Sequence, residues 1–439
     1  MFIHYSTNAD IIAEPDVLVC GIGCAGVAAA VAAARTGAET MAVEQWPSAG
    51  GNITSASVTG CCGLADMSTG ELAVGGIALE LLDRTGVLKL PLASKKLFEP
   101  MLDPKVWNKA HTKLPYAWNV EKFKIAADRM LQESGVRFLY HTKICDVAVK
   151  DSRIETVFLA NKSGITAVKP KIVIDCTGDG DVAAWSGVPY DMEEVPQVAT
   201  LVFSVGNVRI PENRQEIQDK CAVVVQDARR EGRIGIYGGP WLSWPAPGIV
   251  RFNATRLPMD STSPEELTQA ELNGREDAWR MFELFKEKLP EFQDSYFLMS
   301  GPAVGARESR RIRGEYTLTK DDILSVRRFP DAVVKGAWYL DRHPADAPGY
   351  HSHTLVKAYD IPYRTLIPQK IANLLIAGRC HSATTEALAS SRVGVTAMGM
   401  GHAAGVAAAI SLESGIAPRE VDIALLRGEL LKQGAVLDE

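Results

Sequence analysis

The chain has 439 residues, 46% hydrophobic and 23% charged, which is ordinary globular composition. That length exceeds what a single core serves, so two domains are expected. With 47 basic and 53 acidic side chains the formal charge is −6, which argues against nonspecific nucleic-acid binding and suggests a soluble acidic protein, for which a cytoplasmic location is the default expectation where no membrane span is read.

Residues 1–15 read as a loose lead-in. Asp16-Val-Leu-Val-Cys-Gly-Ile-Gly-Cys-Ala-Gly26 then runs from a short β-prone segment into Gly21-x-Gly23-x-x-Gly26, and Val27–Ala34 continues as an alanine-rich helix. Gly21 permits a tight turn, Gly23 lets the backbone approach a pyrophosphate, and Gly26 lets helix and strand pack closely. Cys24 and Ala25 sit between them, at the helix N-terminus where anions are favoured. A second apolar run, Thr40 to Glu44, ends in a carboxylate 18 residues past Gly26, the place for a ribose hydroxyl acceptor, followed by Gln45. The small and polar stretch from Gln45 to Gly63 suits close approach to a flat ligand.

Gly75–Arg84 reads as helix, 88–118 as an irregular insertion or lid, and Asn119–Glu133 as an amphipathic helix ended by Gly135. Strands are expected at Val136–Tyr140, Ile144–Val149, Thr156–Ala160 and Ile165–Val168. Lys171 to Asp181 is another strand running into a glycine-acid turn, and such strand ends cluster at the ligand crevice of a doubly wound sheet. From Pro189 the texture changes. Ala199–Val205 and Ile249–Thr255 read as strands, and Pro264–Lys288 as one helix with Leu267, Leu272, Trp279, Phe282 and Phe285 for its buried side. Phe297–Thr319 and Ala332–Leu340 look strand-like. Asn373–Arg379 is again a strand ending in glycine, followed by a small-residue helix with Ser391 as its expected N-cap.

Val17–Ala34 and Val393–Ile410 are long enough to be taken for membrane spans, but both are rich in Gly and Ala and read as buried helices or strand–helix units; no membrane span is expected. The eight cysteines show no C-x-x-C, so no metal site and no structural disulfide is expected. Cys20, Cys145 and Cys176 read as buried small residues.

These motifs together resemble the FAD-dependent oxidoreductases with a glutathione-reductase-type flavin domain. The resemblance rests on Gly21–Gly26 with Glu44, Ala49-Gly-Gly-Asn-Ile-Thr54, Asp175–Asp181, Trp185–Tyr190, Arg251–Arg256, Gly305–Tyr316, Ile361–Pro368, Leu375–Arg379 and the helix from Ser391. It implies an α/β fold: a discontinuous Rossmann-like FAD-binding domain, residues 1–189 and 366–439, with an inserted α+β substrate domain at 190–365. It implies FAD as cofactor. Gly21, Gly23 and Gly26 would cradle the pyrophosphate and Glu44 would accept from the ribose. Gly50, Gly51, Asn52 and Thr54 would line the dimethylbenzene and ribityl side. Thr177, Gly178, Asp179 and Gly180 would border the cofactor, with Gly378 and Arg379 at its phosphate and ribityl region. The helix from Ser391, Arg392 and Val393 would aim its positive end at the flavin N1–C2=O edge, where reduction places negative charge.

Flavin chemistry also needs a proton acceptor, and histidine suits neutral pH. His381 follows the last strand end, and His351 and His353 could share one face of an extended segment. Arg307 and Arg364 are the candidates for an anionic substrate group, while Arg311 and Arg313 read as ion-pair partners. Cys61-Cys62 reads as two buried thiols, because Asn52, Ile53 and Thr54 occupy the place where related disulfide reductases carry their dithiol.

No second nucleotide fingerprint occurs, so the electron acceptor (oxygen, a quinone or a carrier) is open, as is homo-oligomerisation. The expected reaction is hydride transfer between a small polar or anionic substrate and flavin N5, preferably oxidation of a C–H beside oxygen or nitrogen. The alternatives are an NAD(P)H-consuming flavin monooxygenase or halogenase, a soluble NAD(P)-dependent dehydrogenase, and a non-catalytic protein that keeps the fold for binding.

Overall fold

The computed structural model describes residues 6–88, 97, 117–345, 354 and 356–438. Nearly all of the 88–118 stretch, and His351 and His353, lie outside them.

Five parallel strands form the central sheet: Leu374–Ile376, Ile172–Asp175, Val17–Cys20, Thr40–Val43 and Arg137–Leu139, side by side in that order. Numbered along the chain, the order across the sheet is fifth, fourth, first, second, third, which is the doubly wound arrangement. The order reverses between Val17–Cys20 and Ile172–Asp175, and a crevice opens beyond their C-terminal ends, at Cys20 and Asp175.

Alternation along each strand divides the side chains between two cores. Val17, Val19, Ile172 and Ile174 face a large helical core, whereas Leu18, Cys20 and Val173 face a second layer. That layer is a four-stranded sheet in the order Asp10–Ala13, Gly164–Val168, Arg153–Asn161, Lys143–Lys150. On the helical side, Cys24–Arg35 packs against Gly394–Ser414. Glycine makes this closeness possible, since a Cβ on Gly401 would stand 2.0 Å from the Ala25 carbonyl oxygen and one on Gly405 2.3 Å from that of Ala29. Gly394–Ser414 is long and apolar enough to cross a membrane, but 89% of its most apolar window is buried inside the fold, so it serves as a core helix.

A separate core gathers residues 199–304 around an antiparallel sheet in the order Tyr237–Ala246, Ile249–Thr255, Phe203–Gly206, Tyr296–Ser300. Helices Arg214–Arg230 and Pro264–Lys288 cover one face of it. In Ile249–Thr255, Val250, Phe252 and Ala254 point to those helices, which turns Arg251 and Asn253 the other way, toward the crevice of the first sheet.

Several expectations need correction. Leu272 and Trp279 of the long helix are exposed; Ala270, Gly274, Ala278 and Met281 take the buried positions beside Phe282 and Phe285, because tight seating against the sheet favours small residues. Within Phe297–Thr319 only Tyr296–Ser300 and Arg311–Ile312 are strand, and the chain between them crosses loosely to the crevice. Cys145 is exposed, on the outward face of its strand, and all eight cysteines are free. The small-residue helix does not start at Ser391. A short helix, Thr385–Ser391, ends there, Val393 turns extended at ψ 150°, and the long helix begins at Gly394.

Candidate active site

The turn after Ile172–Asp175 is built by Asp175 itself. Its carboxylate accepts from Thr177 N (3.0 Å), Thr177 Oγ1 (2.7 Å) and Ala183 N (2.9 Å), which folds Thr177–Gly180 back over the strand end. Burial pushes this carboxyl up to about 6 despite those donors. The fingerprint turn is equally tight. A Cβ on Gly26 would lie 1.9 Å from Gly21 O and one on Gly21 2.7 Å from Cys176 O, whereas one on Gly23 would meet nothing closer than Gly51 Cα at 3.8 Å. Gly21 and Gly26 are thus fixed by the fold, and Gly23 by the space in front of it.

That space is a cavity of about 480 Å³. It is walled by Gly23, Cys24, Ala25, Gly51, Asn52, Thr177 and Gly178, with Gly378, Arg379, Arg392 and Val393 among the rest of its lining. Asn52 is set by a 3.0 Å bond from Nδ2 to Ala306 O. Two helix N-termini open here, those of Cys24–Arg35 and Gly394–Ser414, and neither has a side-chain cap. By contrast Asn119, Asn213, Ser263 and Asp422 cap theirs. Two sets of orphaned N–H donors and two positive dipole ends therefore face one cavity, which suits a ligand carrying negative charge at two places.

Other expected cofactor residues stand behind this wall. Glu44 is buried; its oxygens accept from Ile22 N (2.8 Å) and Trp46 N (3.1 Å), and burial raises its carboxyl above the usual range. Gln45 is exposed. Gly50 takes a left-handed φ of 114°, and Thr54 Oγ1 donates to Ala49 O at 2.8 Å. Asp179 pairs with Arg379 at 2.9 Å, which holds the guanidinium that reaches the cavity. Gly180, also left-handed, begins the short helix Asp181–Trp185.

Ser391 ends its helix, and its hydroxyl lies 3.0 Å from His381 Nε2. His381 is fully buried, and its Nδ1 sits 2.8 Å from Gly378 O. A carbonyl only accepts, so Nδ1 carries the proton and Nε2 accepts from Ser391. Burial lowers this imidazole to about 4, and it stays neutral. The ring ties the Gly378 turn to the Ser391 helix end behind the cavity and does not form part of its wall.

The cavity is also lined by residues of the 199–304 unit and of 338–343. Arg307 lines it, as do Arg251, Asn253, Trp241, Tyr339, Asp341 and His343. Arg307 is 7% exposed and donates from Nη1 to Val198 O at 2.6 Å. Arg256 lies just behind, its guanidinium 4.8 Å from the centre of the Trp241 ring. Burial lowers the pKa of Arg256 to about 10 and that of Arg307 well below its usual range, each helped by neighbouring cations. His343 was not singled out by sequence; its Nε2 lies 2.9 Å from Asp341 Oδ1, and burial with nearby Arg307 and Arg256 keeps it neutral. Arg364 is elsewhere, held by Asp331 in a bidentate pair of 2.9 and 3.1 Å and packed over Tyr316. Arg311 pairs with Glu308 and Glu193, and Arg313 with Asp191.

Cys61 and Cys62 line the cavity as free thiols. Burial pushes Cys62 up to about 12 and Cys61 well above its usual value, so both stay protonated at neutral pH. Among the described residues no group of three or more His, Cys, Asp or Glu side chains is placed to hold a metal ion.

A doubly wound sheet with a glycine fingerprint, and a second unit closing over its crevice, defines a dinucleotide-dependent enzyme class. A family model described as FAD dependent oxidoreductase matches residues 16–430, and the chain belongs to that family. It is an FAD-dependent oxidoreductase, with FAD as its cofactor. No curated protein matches. Among solved structures it is similar to a geranylgeranyl bacteriochlorophyll reductase-like protein from Thermoplasma acidophilum (13% identity, 96% of this chain and 84% of the other, TM-score 0.48). A flavoprotein/dehydrogenase from Cytophaga hutchinsonii (13%, 95% and 82%, 0.47) and p-nitrophenol 4-monooxygenase from Pseudomonas putida DLL-E4 (15%, 95% and 84%, 0.43) are also similar. At these scores the reaction has to be read from the chain's own residues. The family makes FAD the cofactor and leaves the narrower glutathione-reductase type undecided.

Proposed function

We propose that the cavity is an active site in which a hydride passes between a small, polar, anionic substrate and the flavin, in the direction of oxidising a C–H beside oxygen or nitrogen. One observation carries this reading: a single cavity joins the fingerprint residue Gly23 to the buried guanidinium of Arg307. We read 1–189 and 366–439 as the FAD-binding part and 190–365 as the substrate part.

Gly21, Gly23 and Gly26 would hold the pyrophosphate, Glu44 the ribose, and Gly51, Asn52, Thr177, Gly178, Gly378 and Arg379 the middle of the cofactor. The uncapped Val393–Gly394 helix start would face the flavin edge that gains charge on reduction. Bound FAD supplies hydride acceptance at its N5. The protein's own contribution is the seat. Arg307 and Arg251 attract and orient an anion, and Trp241 and Tyr339 help exclude water.

Deuterium at the oxidised carbon should slow anaerobic bleaching of the flavin severalfold, and NAD(P)H alone should bleach it no faster than buffer does. Rapid bleaching by NAD(P)H, with oxygen inserted into the product, would replace this reading by a monooxygenase.

A further inference from the structure

The part of the cavity wall that the antiparallel sheet supplies has a definite register. Arg251 lies opposite Ser243, and Asn253 opposite Trp241, with the pairing unbroken between them. The side chains of Arg251 and Asn253 therefore leave one face of one strand, about 7 Å apart at Cα. Both line the cavity.

Hydrogen bonds fix what each presents. Asn253 Oδ1 accepts from Thr200 Oγ1 at 2.9 Å and from Arg256 Nη1 at 3.4 Å. A guanidinium only donates, so the atom it meets is the amide oxygen and the other atom is the NH2 group. Nδ2 has no acceptor among the described residues, and its two N–H groups remain for a ligand. Arg251 Nη1 donates to Thr59 Oγ1 at 3.2 Å, which steadies the side chain and leaves Nη2 without a partner among the described residues.

Around Asn253 the wall donates and does not accept. Trp241, across from it, carries an indole that can only donate, and the Arg256 guanidinium stands 4.8 Å from the centre of that ring. An ammonium beside Asn253 would face N–H groups and a nearby cation, whereas a hydroxyl or carbonyl oxygen would accept from Nδ2. Asp341 is the one carboxylate among the described lining residues. It already meets His343 Nε2 at 2.9 Å and stands 3.8 Å from Arg392 Nη2. At Arg251, one guanidinium with one open corner matches a monoanion such as a carboxylate.

We propose that the Arg251–Asn253 face reads a 2-hydroxy acid, with Arg251 holding the carboxylate and Asn253 the oxygen on the adjacent carbon. The assignment rests on the reading of this cavity as the substrate seat, and it narrows the oxidised C–H to one beside oxygen rather than nitrogen. Oxidation breaks the C2–H and O–H bonds, passes the hydride to the flavin and the proton to water, and leaves a 2-oxo acid.

A matched set of acids tests it by calorimetry on the flavin-loaded protein: 2-hydroxyisobutyrate, 2-aminoisobutyrate and isobutyrate. The first two carry no hydrogen on C2, so binding is measured without turnover. The hydroxy acid should bind about tenfold or more tighter than either of the others. Arg251→Gln should weaken the hydroxy acid and isobutyrate by the same factor, about tenfold, and keep their ratio. Asn253→Ala should weaken the hydroxy acid about tenfold and leave isobutyrate unchanged, whereas a merely structural role would lower both together. If Asn253→Ala fails to fold, the wild-type preference and Arg251→Gln decide. No binding of the hydroxy acid, an amino acid analogue that binds as tightly, or a preference that survives Asn253→Ala overturns the proposal. The two readings fail separately. Selective binding of the hydroxy acid, with no 2-hydroxy acid able to bleach the flavin, removes hydride transfer and leaves the site. Bleaching by an amine or a sugar that 2-hydroxyisobutyrate does not inhibit removes the site and leaves hydride transfer.

Discussion

His381 and Ser391 meet through a 3.0 Å contact between Nε2 and Oγ, and the other ring nitrogen holds Gly378 O at 2.8 Å. One buried imidazole therefore locks together the last strand turn and the break between two helices, both of which carry cavity-lining neighbours. We predict that His381→Ala weakens FAD retention, because both lining segments lose their tie. His381→Gln should recover part of it, since an amide can donate and accept at the same two places. The pH profile of flavin reduction should keep its shape in both variants. A lost ionisation in that profile, with FAD affinity intact, would make His381 a proton acceptor instead.

The same histidine gives a pH signature. Its pKa is lowered from 6.5 to about 4 in the folded protein, so between those values the unfolded chain binds more protons. The stabilising contribution is complete above pH 6.5 and is lost as pH falls toward 4, on the order of 3 kcal/mol in all. His343 and His402 shift in the same direction. Urea unfolding at pH 7 and pH 5 should show a loss of stability on acidification that is smaller in His381→Gln. An equal loss in the two proteins would contradict the assignment.

The three fingerprint glycines should separate by phenotype. A Cβ on Gly26 would sit 1.9 Å from Gly21 O, so Gly26→Ala should lower the melting temperature of the FAD-free protein. Gly23 faces open space, its nearest neighbour 3.8 Å from a Cβ, so Gly23→Val should fold like wild type and purify without flavin. Yellow Gly23→Val protein would mean that the cofactor does not approach there.

Gly401 tests the helix pair. Its Cβ would come 2.0 Å from Ala25 O, and Gly401→Val should force Gly394–Ser414 away from Cys24–Arg35, destabilising the fold by about 3 kcal/mol or more. Chemical denaturation measures this directly, and an unchanged midpoint would refute the close packing.

What the sequence disclosed follows from how local each signal is. Strand, turn and helix around Gly21–Gly26, the Asp175–Gly180 turn and the Pro264–Lys288 helix lie within short windows and were readable there. Tyr237–Ala246 was missed because Gly238, Gly239, Pro240 and Pro245 disguise a strand. Proximity in sequence also misled. His381 follows the strand end, but chain order cannot say on which side of the turn a side chain lies, and it points into the core. Arg251, Asp341 and His343 converge only through tertiary structure, and no local pattern marked them as a group.

The most direct test of hydride transfer is anaerobic titration of the flavin-loaded protein with hydroxy acids, amino acids, sugars and small dicarboxylates. An anionic member of the panel should bleach the flavin fully, at a rate that Arg307→Gln lowers by about tenfold or more. A flavin that stays oxidised with every compound, or is bleached equally well in wild type and Arg307→Gln, would contradict it.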